Sequence, residues 1–105
     1  MLATDKQIAE ELKRRLSRIL TLVDFRVFGS RARGEADKDA DMDIFVEVES
    51  LDAALKDRIL DTAWEVGFEH NIKISPLIFT RSEIEDSPLR SSPIVKSVAA
   101  EGIRI

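Results

Sequence analysis

The stretch from Leu22 to Val48, LVDFRVFGSRARGEADKDADMDIFVEV, constrains this chain more than any other. Residues 22–28 alternate, with Val23, Phe25 and Val27 on one side and Leu22, Asp24, Arg26 and Phe28 on the other, which is the period of a strand. Gly29 ends that run. A polar loop over 29–40, with Gly34 as a second turn point, leads into a strand over 41–48. There Met42, Ile44, Val46 and Val48 share one face, and Asp41, Asp43, Phe45 and Glu47 the other. A hairpin-like return sets the end of the first strand beside the start of the second, so Gly29 and Ser30 should face Asp41 and Asp43.

That juxtaposition has a chemical meaning. Gly29 has no side chain to hold a phosphate away from the backbone, and the amides of the turn can point at phosphate oxygens, the more so if residues 30–33 begin a helix. Ser30 adds a hydroxyl donor. Strand residues two apart point to the same side with Cα atoms roughly 6.6 Å apart, so the carboxylates of Asp41 and Asp43 can converge on a divalent ion. Mg²⁺ takes oxygen ligands, commonly one or two carboxylates with water and substrate phosphates completing the shell. The acidic run DKDADMD also suggests a calcium loop, but Met42 stands where a sharp-turn Gly is needed and Val48 where a closing Glu is needed. Arg31 and Arg33 flank the turn. Arg31 reads equally well as a ligand of triphosphate oxygens or as a loop charge paired with Glu35, Asp37 or Asp39, and Arg33 reads as the latter.

Composition narrows the classes. With 105 residues there is room for one core, hence one domain over 1–105. A hydrophobic fraction of 44% and a charged fraction of 34% are those of a globular protein, and no apolar run reaches membrane-spanning length. The N-terminus lacks the apolar core of a signal peptide, so a cytoplasmic location is the expectation. Zero cysteines exclude disulfides and thiolate metal sites. Twenty acidic against sixteen basic residues, a net charge of −4, argue against nonspecific binding to a nucleic-acid backbone.

The flanks read as support. Thr4 as N-cap and apolar residues Ile8, Leu12, Leu16, Ile19 and Leu20 predict an amphipathic helix over 5–20, its Lys13, Arg14, Arg15 and Arg18 forming a solvated face. Ser50 as N-cap predicts a second helix over 51–66 with Leu51, Leu55, Ile59, Ala63 and Val66 inward, closed by Gly67, and with Trp64 in the core. His70, the single histidine, has no ligand-spaced neighbour and reads as an exposed junction residue rather than a metal ligand. Residues 72–79 predict a third strand, at an edge or with a bulge because Pro76 lacks a donor. Thr80 with Glu83 forms a capping box, Ser92 with Pro93 starts a helix ending near Gly102, and the terminal IRI suggests a last short strand.

Gly29-Ser30, ten intervening residues, then Asp41-Met42-Asp43 resembles the GSx10DxD signature of the minimal nucleotidyltransferases of the DNA polymerase beta superfamily, and FGSRARG before and IFVEV after agree with it. The resemblance implies an α/β (α+β) fold, a small mixed sheet backed by helices. It implies Mg²⁺-dependent transfer of NMP from an NTP, ATP by expectation, with one or two ions. Asp41 and Asp43 would be the catalytic metal ligands, and Gly29 and Ser30 would hold the β and γ phosphates of the nucleotide; Arg31 is a nucleotide-binding candidate by its place beside the turn, not by the resemblance. Small members of the class often act with a helical partner of the HEPN type as an antitoxin that modifies or masks a toxin ribonuclease. Such a partner is therefore the implied acceptor, while self-association into a homo-oligomer stays open. One departure stands out. The superfamily usually has a third carboxylate on a later strand, and IKISPLIF has none, with Lys73 or Ser75 in its place. Glu47 is no substitute, about 13 Å along its strand from Asp43. The alternative is thus a nucleotidyltransferase-like antitoxin or regulatory module that binds without transferring.

Overall fold

The computed structural model describes residues 1–105. Five helices, α1 (Ala3–Ser17), α2 (Gly29–Arg33), α3 (Ala53–Glu69), α4 (Arg81–Asp86) and α5 (Pro93–Glu101), accompany four strands, β1 (Leu22–Phe28), β2 (Met42–Val48), β3 (Ile74–Thr80) and β4 (Ile103–Arg104). The sheet order is β3-β2-β1-β4. β1 is antiparallel to β2 and to β4, and β3 is parallel to β2, so the sheet is mixed. The parallel step needs a crossover, which α3 supplies. The hairpin expected from the sequence is present, with Phe28 opposite Asp43 and Phe25 opposite Val46.

The period of two decides which side chains meet which layer. Phe25 and Val27 of β1 with Met42, Ile44, Val46 and Val48 of β2 join Leu12 and Leu16 of α1 and Ile59, Ala63 and Val66 of α3 in the main core. The opposite face carries a smaller cluster, Phe45, Phe79, Val95 and Val98, packed against Phe28, Leu77 and Ile84. Each fully buried aliphatic or aromatic side chain contributes roughly 1.5–3 kcal/mol of transfer free energy, so the main layer dominates stability. Leu12, Leu16, Val27, Met42, Ile44, Val46, Ile59 and Val66 are all fully enclosed.

Several local expectations shift. α1 begins at Ala3 with Leu2 in the cap position, so Thr4 lies inside the first turn. α3 is capped by Asp52, whose Oδ1 accepts from the Leu55 amide at 2.7 Å, rather than by Ser50. Nor does Gly67 end it. The helix runs on to Glu69 and closes on Asn71, whose φ of 55° is left-handed, with the Asn71 amide donating to Phe68 O and the Ile72 amide to Gly67 O. Gly67 serves packing instead, since a Cβ there would run into Ile72 O. Trp64 is not a core residue; it is 67% exposed and stacked on Phe68 at 5.2 Å between ring centroids. His70 is exposed as expected but not alone, its Nε2 lying 2.6 Å from Glu11 Oε2. Arg15 spans Glu11 and Glu69 beside it, so this corner is a clasp between α1 and the end of α3 with its own fixed cation. β3 is an edge strand, the first of the two placements Pro76 favoured, the Thr80–Glu83 capping box is complete, and α5 and β4 lie where the sequence placed them.

Candidate functional site

β1 delivers Phe28 in extended conformation and the chain then turns sharply, Gly29 taking φ 76°. A left-handed φ at this point strains any residue with a Cβ. There is also no room for one. A Cβ on Gly29 would lie 2.6 Å from Asp43 Oδ2, so the turn and the second aspartate are in van der Waals contact. Ser30 follows in the first turn of α2, where amides have no intrahelical acceptor. The four residues Gly29, Ser30, Asp41 and Asp43 are therefore gathered at one end of the sheet by a single register, that of β1 on β2.

Asp41 precedes β2 and Asp43 is its second residue, on the same face. Asp43 is partly buried, and burial, with the Asp41 carboxylate as the lesser cause, pushes its pKa up. No cation sits close enough to offset this. Lys73 Nζ, which is largely exposed, lies 3.9 Å from Asp41 Oδ2 and forms no ion pair with Asp43. Two carboxylates held together at a cost, beside a glycine turn with open backbone, are a donor set that a hard divalent cation completes.

The parallel register answers which β3 residue stands in the third-carboxylate place. Ser75 is opposite Asp43, and its Oγ donates to Asp41 Oδ2 at 3.3 Å. Lys73 lies just before the strand. β3 thus brings a hydroxyl and an ammonium to the aspartates, and no acid.

Arg31 is the correction among the site residues. Its guanidinium is buried and pairs with Asp5 Oδ1 at 2.9 Å, while Nε and Nη2 donate to Ala40 O at 3.0 and 2.7 Å and Nη2 also reaches Lys38 O. Its donors are taken up within the chain, and it does not pair with Glu35, Asp37 or Asp39. It ties α1 and the 34–40 loop to α2, which sets where Asp41 enters β2. Sequence reasoning missed Asp5 because the partners are 26 residues apart and nothing local marks them. Arg33 pairs with Glu35, as read, and also with Glu101 of α5.

Comparison with known proteins decides the class. The nucleotidyltransferase domain model matches residues 5–104. This chain belongs to the nucleotidyltransferase domain family. Among relatives of this nucleotidyltransferase, a candidate protein adenylyltransferase of Methanocaldococcus jannaschii is 31% identical over 78 residues, 73% of each chain. A solved candidate minimal nucleotidyltransferase superposes with a TM-score of 0.67 at 24% identity, over 97% of this chain and 93% of that one. A toxin–antitoxin complex crystallised with AMP-PNP superposes with a TM-score of 0.60 at 21% identity, over 90% of this chain and 70% of that one. At such identities the structural likenesses speak for the fold, and the four-stranded mixed sheet of this nucleotidyltransferase is the one they share. No helix is long and apolar enough to cross a membrane.

Proposed function

We propose that the chain transfers NMP from an NTP, ATP in the first instance, to an acceptor on a partner protein, with Asp41 and Asp43 as the Mg²⁺ ligands and Gly29 and Ser30 as the phosphate-holding turn. The observation that carries this reading is the contact of Gly29 with Asp43, which lets one bound triphosphate meet the turn and the carboxylates together. Mg²⁺ supplies charge neutralisation for the triphosphate and orientation for in-line displacement at the α-phosphorus. In that displacement a bond forms between the acceptor oxygen and the α-phosphorus while the bond to the bridging oxygen breaks and pyrophosphate departs. The chain's own part is positional. Gly29 admits the phosphates, Ser30 donates to them, and Ser75 holds Asp41 by its carboxylate. A protein acceptor is supported by the relative described as a candidate protein adenylyltransferase and by the toxin–antitoxin neighbours, and a helical HEPN-type toxin is the partner we would try first.

The test is calorimetric titration of ATP with and without Mg²⁺, repeated on Asp43→Asn. Metal-dependent binding that the variant loses supports the site, and binding indifferent to metal or to Asp43 refutes it. Mass spectrometry with ATP, Mg²⁺ and the adjoining gene's product then reads transfer as an added nucleotide mass.

A second reading rests on β3, which places Ser75 rather than a carboxylate opposite Asp43. A chain that keeps the binding half of the site but lacks the third acid serves as an antitoxin by masking its partner. Neutralisation that survives Asp41→Asn with Asp43→Asn selects this reading, and its loss with complex formation intact selects transfer.

A further inference from the structure

The two most exposed large apolar side chains of the protein, Trp64 and Phe68, fall in one row with Leu60. Leu60, Trp64 and Phe68 recur every four residues along α3, with exposures of 38%, 67% and 72%. Across from them Ile72, Ile74 and Pro76 line the other bank, so α3 and the β3 edge enclose an open groove floored at Gly67. An isolated exposed apolar residue means little, but a contiguous row along a groove marks a contact surface. Stacking of Trp64 on Phe68 presents both rings as one flat wall.

Two features say what fits there. On the neighbouring helical row stand Asp57, Asp61 and Glu65, all exposed and none in an ion pair within the chain. Lys56 precedes the apolar row and Arg58 lies beyond the acidic band, so the α3 border of the groove is acidic, while Lys73 on the β3 bank is the one charged residue of its lining. An occupant with an apolar ridge and lysine or arginine on the side turned to α3 matches it, and a second copy docked with its α3 against this one would set the acidic rows together. The free edge of β3 is a poor template for an added strand. Lys73 O accepts from the Met42 amide, so residues 73, 75 and 77 turn their backbone towards β2 while 74, 76 and 78 face outward, where Pro76 has no N–H to give. A helix lying in the groove needs no such donor.

Lys73 joins this groove to the candidate site, for it lines the groove and lies 3.9 Å from Asp41. We propose that the Leu60–Trp64–Phe68 groove docks a basic amphipathic helix of the acceptor protein and so delivers that protein to Asp41 and Asp43. The second clause rests on the transfer reading given above, and the first stands without it.

Trp64, the single tryptophan, is the reporter. The whole chain is titrated with a helical peptide of about five turns bearing a leucine ridge bordered by lysines, and with its counterpart bordered by glutamates. Saturable binding with a blue shift of the Trp64 emission is expected for the lysine peptide alone. It should weaken about tenfold in Phe68→Ala and in Asp57→Asn with Asp61→Asn and Glu65→Gln, positions exposed enough to leave the fold untouched. No binding, equal binding of both peptides, or binding unchanged in both variants overturns the proposal. Sedimentation of the chain alone tests the occupant separately, because self-association abolished by Phe68→Ala would make it a second copy and overturn the proposal too. ATP titration of the same variants separates the two readings. Both should keep wild-type behaviour towards ATP and Mg²⁺. If the wild type binds no nucleotide while the lysine peptide binds, transfer fails and the docking surface stands.

Discussion

At Gly29 two independent constraints fall on one residue, a left-handed φ and a missing Cβ whose place is filled by Asp43. Gly29→Ala should therefore lower stability by about 1–2 kcal/mol in urea unfolding and displace Asp43, with loss of ATP binding measured by calorimetry. Asp43 itself carries a cost in stability. Its folded pKa lies above the unfolded one, first through burial and then through Asp41. The unfolded chain thus releases its proton first as pH rises, and the fold carries a penalty that develops above the unfolded pKa and is complete above the folded one. Asp43→Asn should accordingly be more stable than wild type at pH 7 and no more stable at pH 3, while losing metal-dependent nucleotide binding. Unfolding curves at the two pH values check the sign. A variant less stable at pH 7 would contradict it.

Among the elements, α2 is only five residues long and is held in place from outside. The Arg31–Asp5 pair is nearly solvent-free, with side chains 8% and 6% exposed. Removing one partner of a buried pair leaves the other charge uncompensated, so Asp5→Ala should cost about 3–5 kcal/mol, far above an exposed pair. Denaturant midpoints of Asp5→Ala against Glu35→Ala, whose carboxylate meets Arg33 at the surface, give the comparison. The turn from β3 into α4 depends on a different device. Thr80 Oγ1 accepts from the Glu83 amide, and the Glu83 carboxylate accepts from the Thr80 amide at 3.0 Å. Thr80→Ala should lose about 1 kcal/mol in the same assay.

For the whole molecule, the sheet has a thick layer on one face and a thin one on the other, and the candidate site lies on the thin side with Phe45 and Phe79. A ligand there stabilises the folded chain by mass action. If the proposed function holds, ATP with Mg²⁺ at a free concentration a hundred times its dissociation constant should add about 2.7 kcal/mol and raise the melting temperature by roughly 10 °C for a domain of this size. Chelating the metal should abolish that shift, as should Asp43→Asn, and thermal scans with and without EDTA report it. A shift that survives chelation would place the nucleotide elsewhere.

The strand-turn-strand unit, the mixed sheet backed by helices, the edge position of β3, the capping box of α4 and the convergence of Gly29 with Asp43 were all legible in the residues, because each depends on local periodicity, backbone chemistry or a short return. The tertiary structure alone decided the rest. Arg31 was locally indistinguishable from a phosphate ligand until Asp5 arrived from 26 residues away to claim it. Trp64 shares a helix with core residues, and its exposure is set by where the edge of the sheet runs out beneath α3. His70 acquired Glu11 through packing of elements that no spacing along the chain connects, and where the sequence offered Lys73 or Ser75 beside the aspartates the parallel register brought both to Asp41. Local order follows from the free energy of short segments, whereas the partner of a charge or the cover of an aromatic ring follows from which distant surfaces the core draws together.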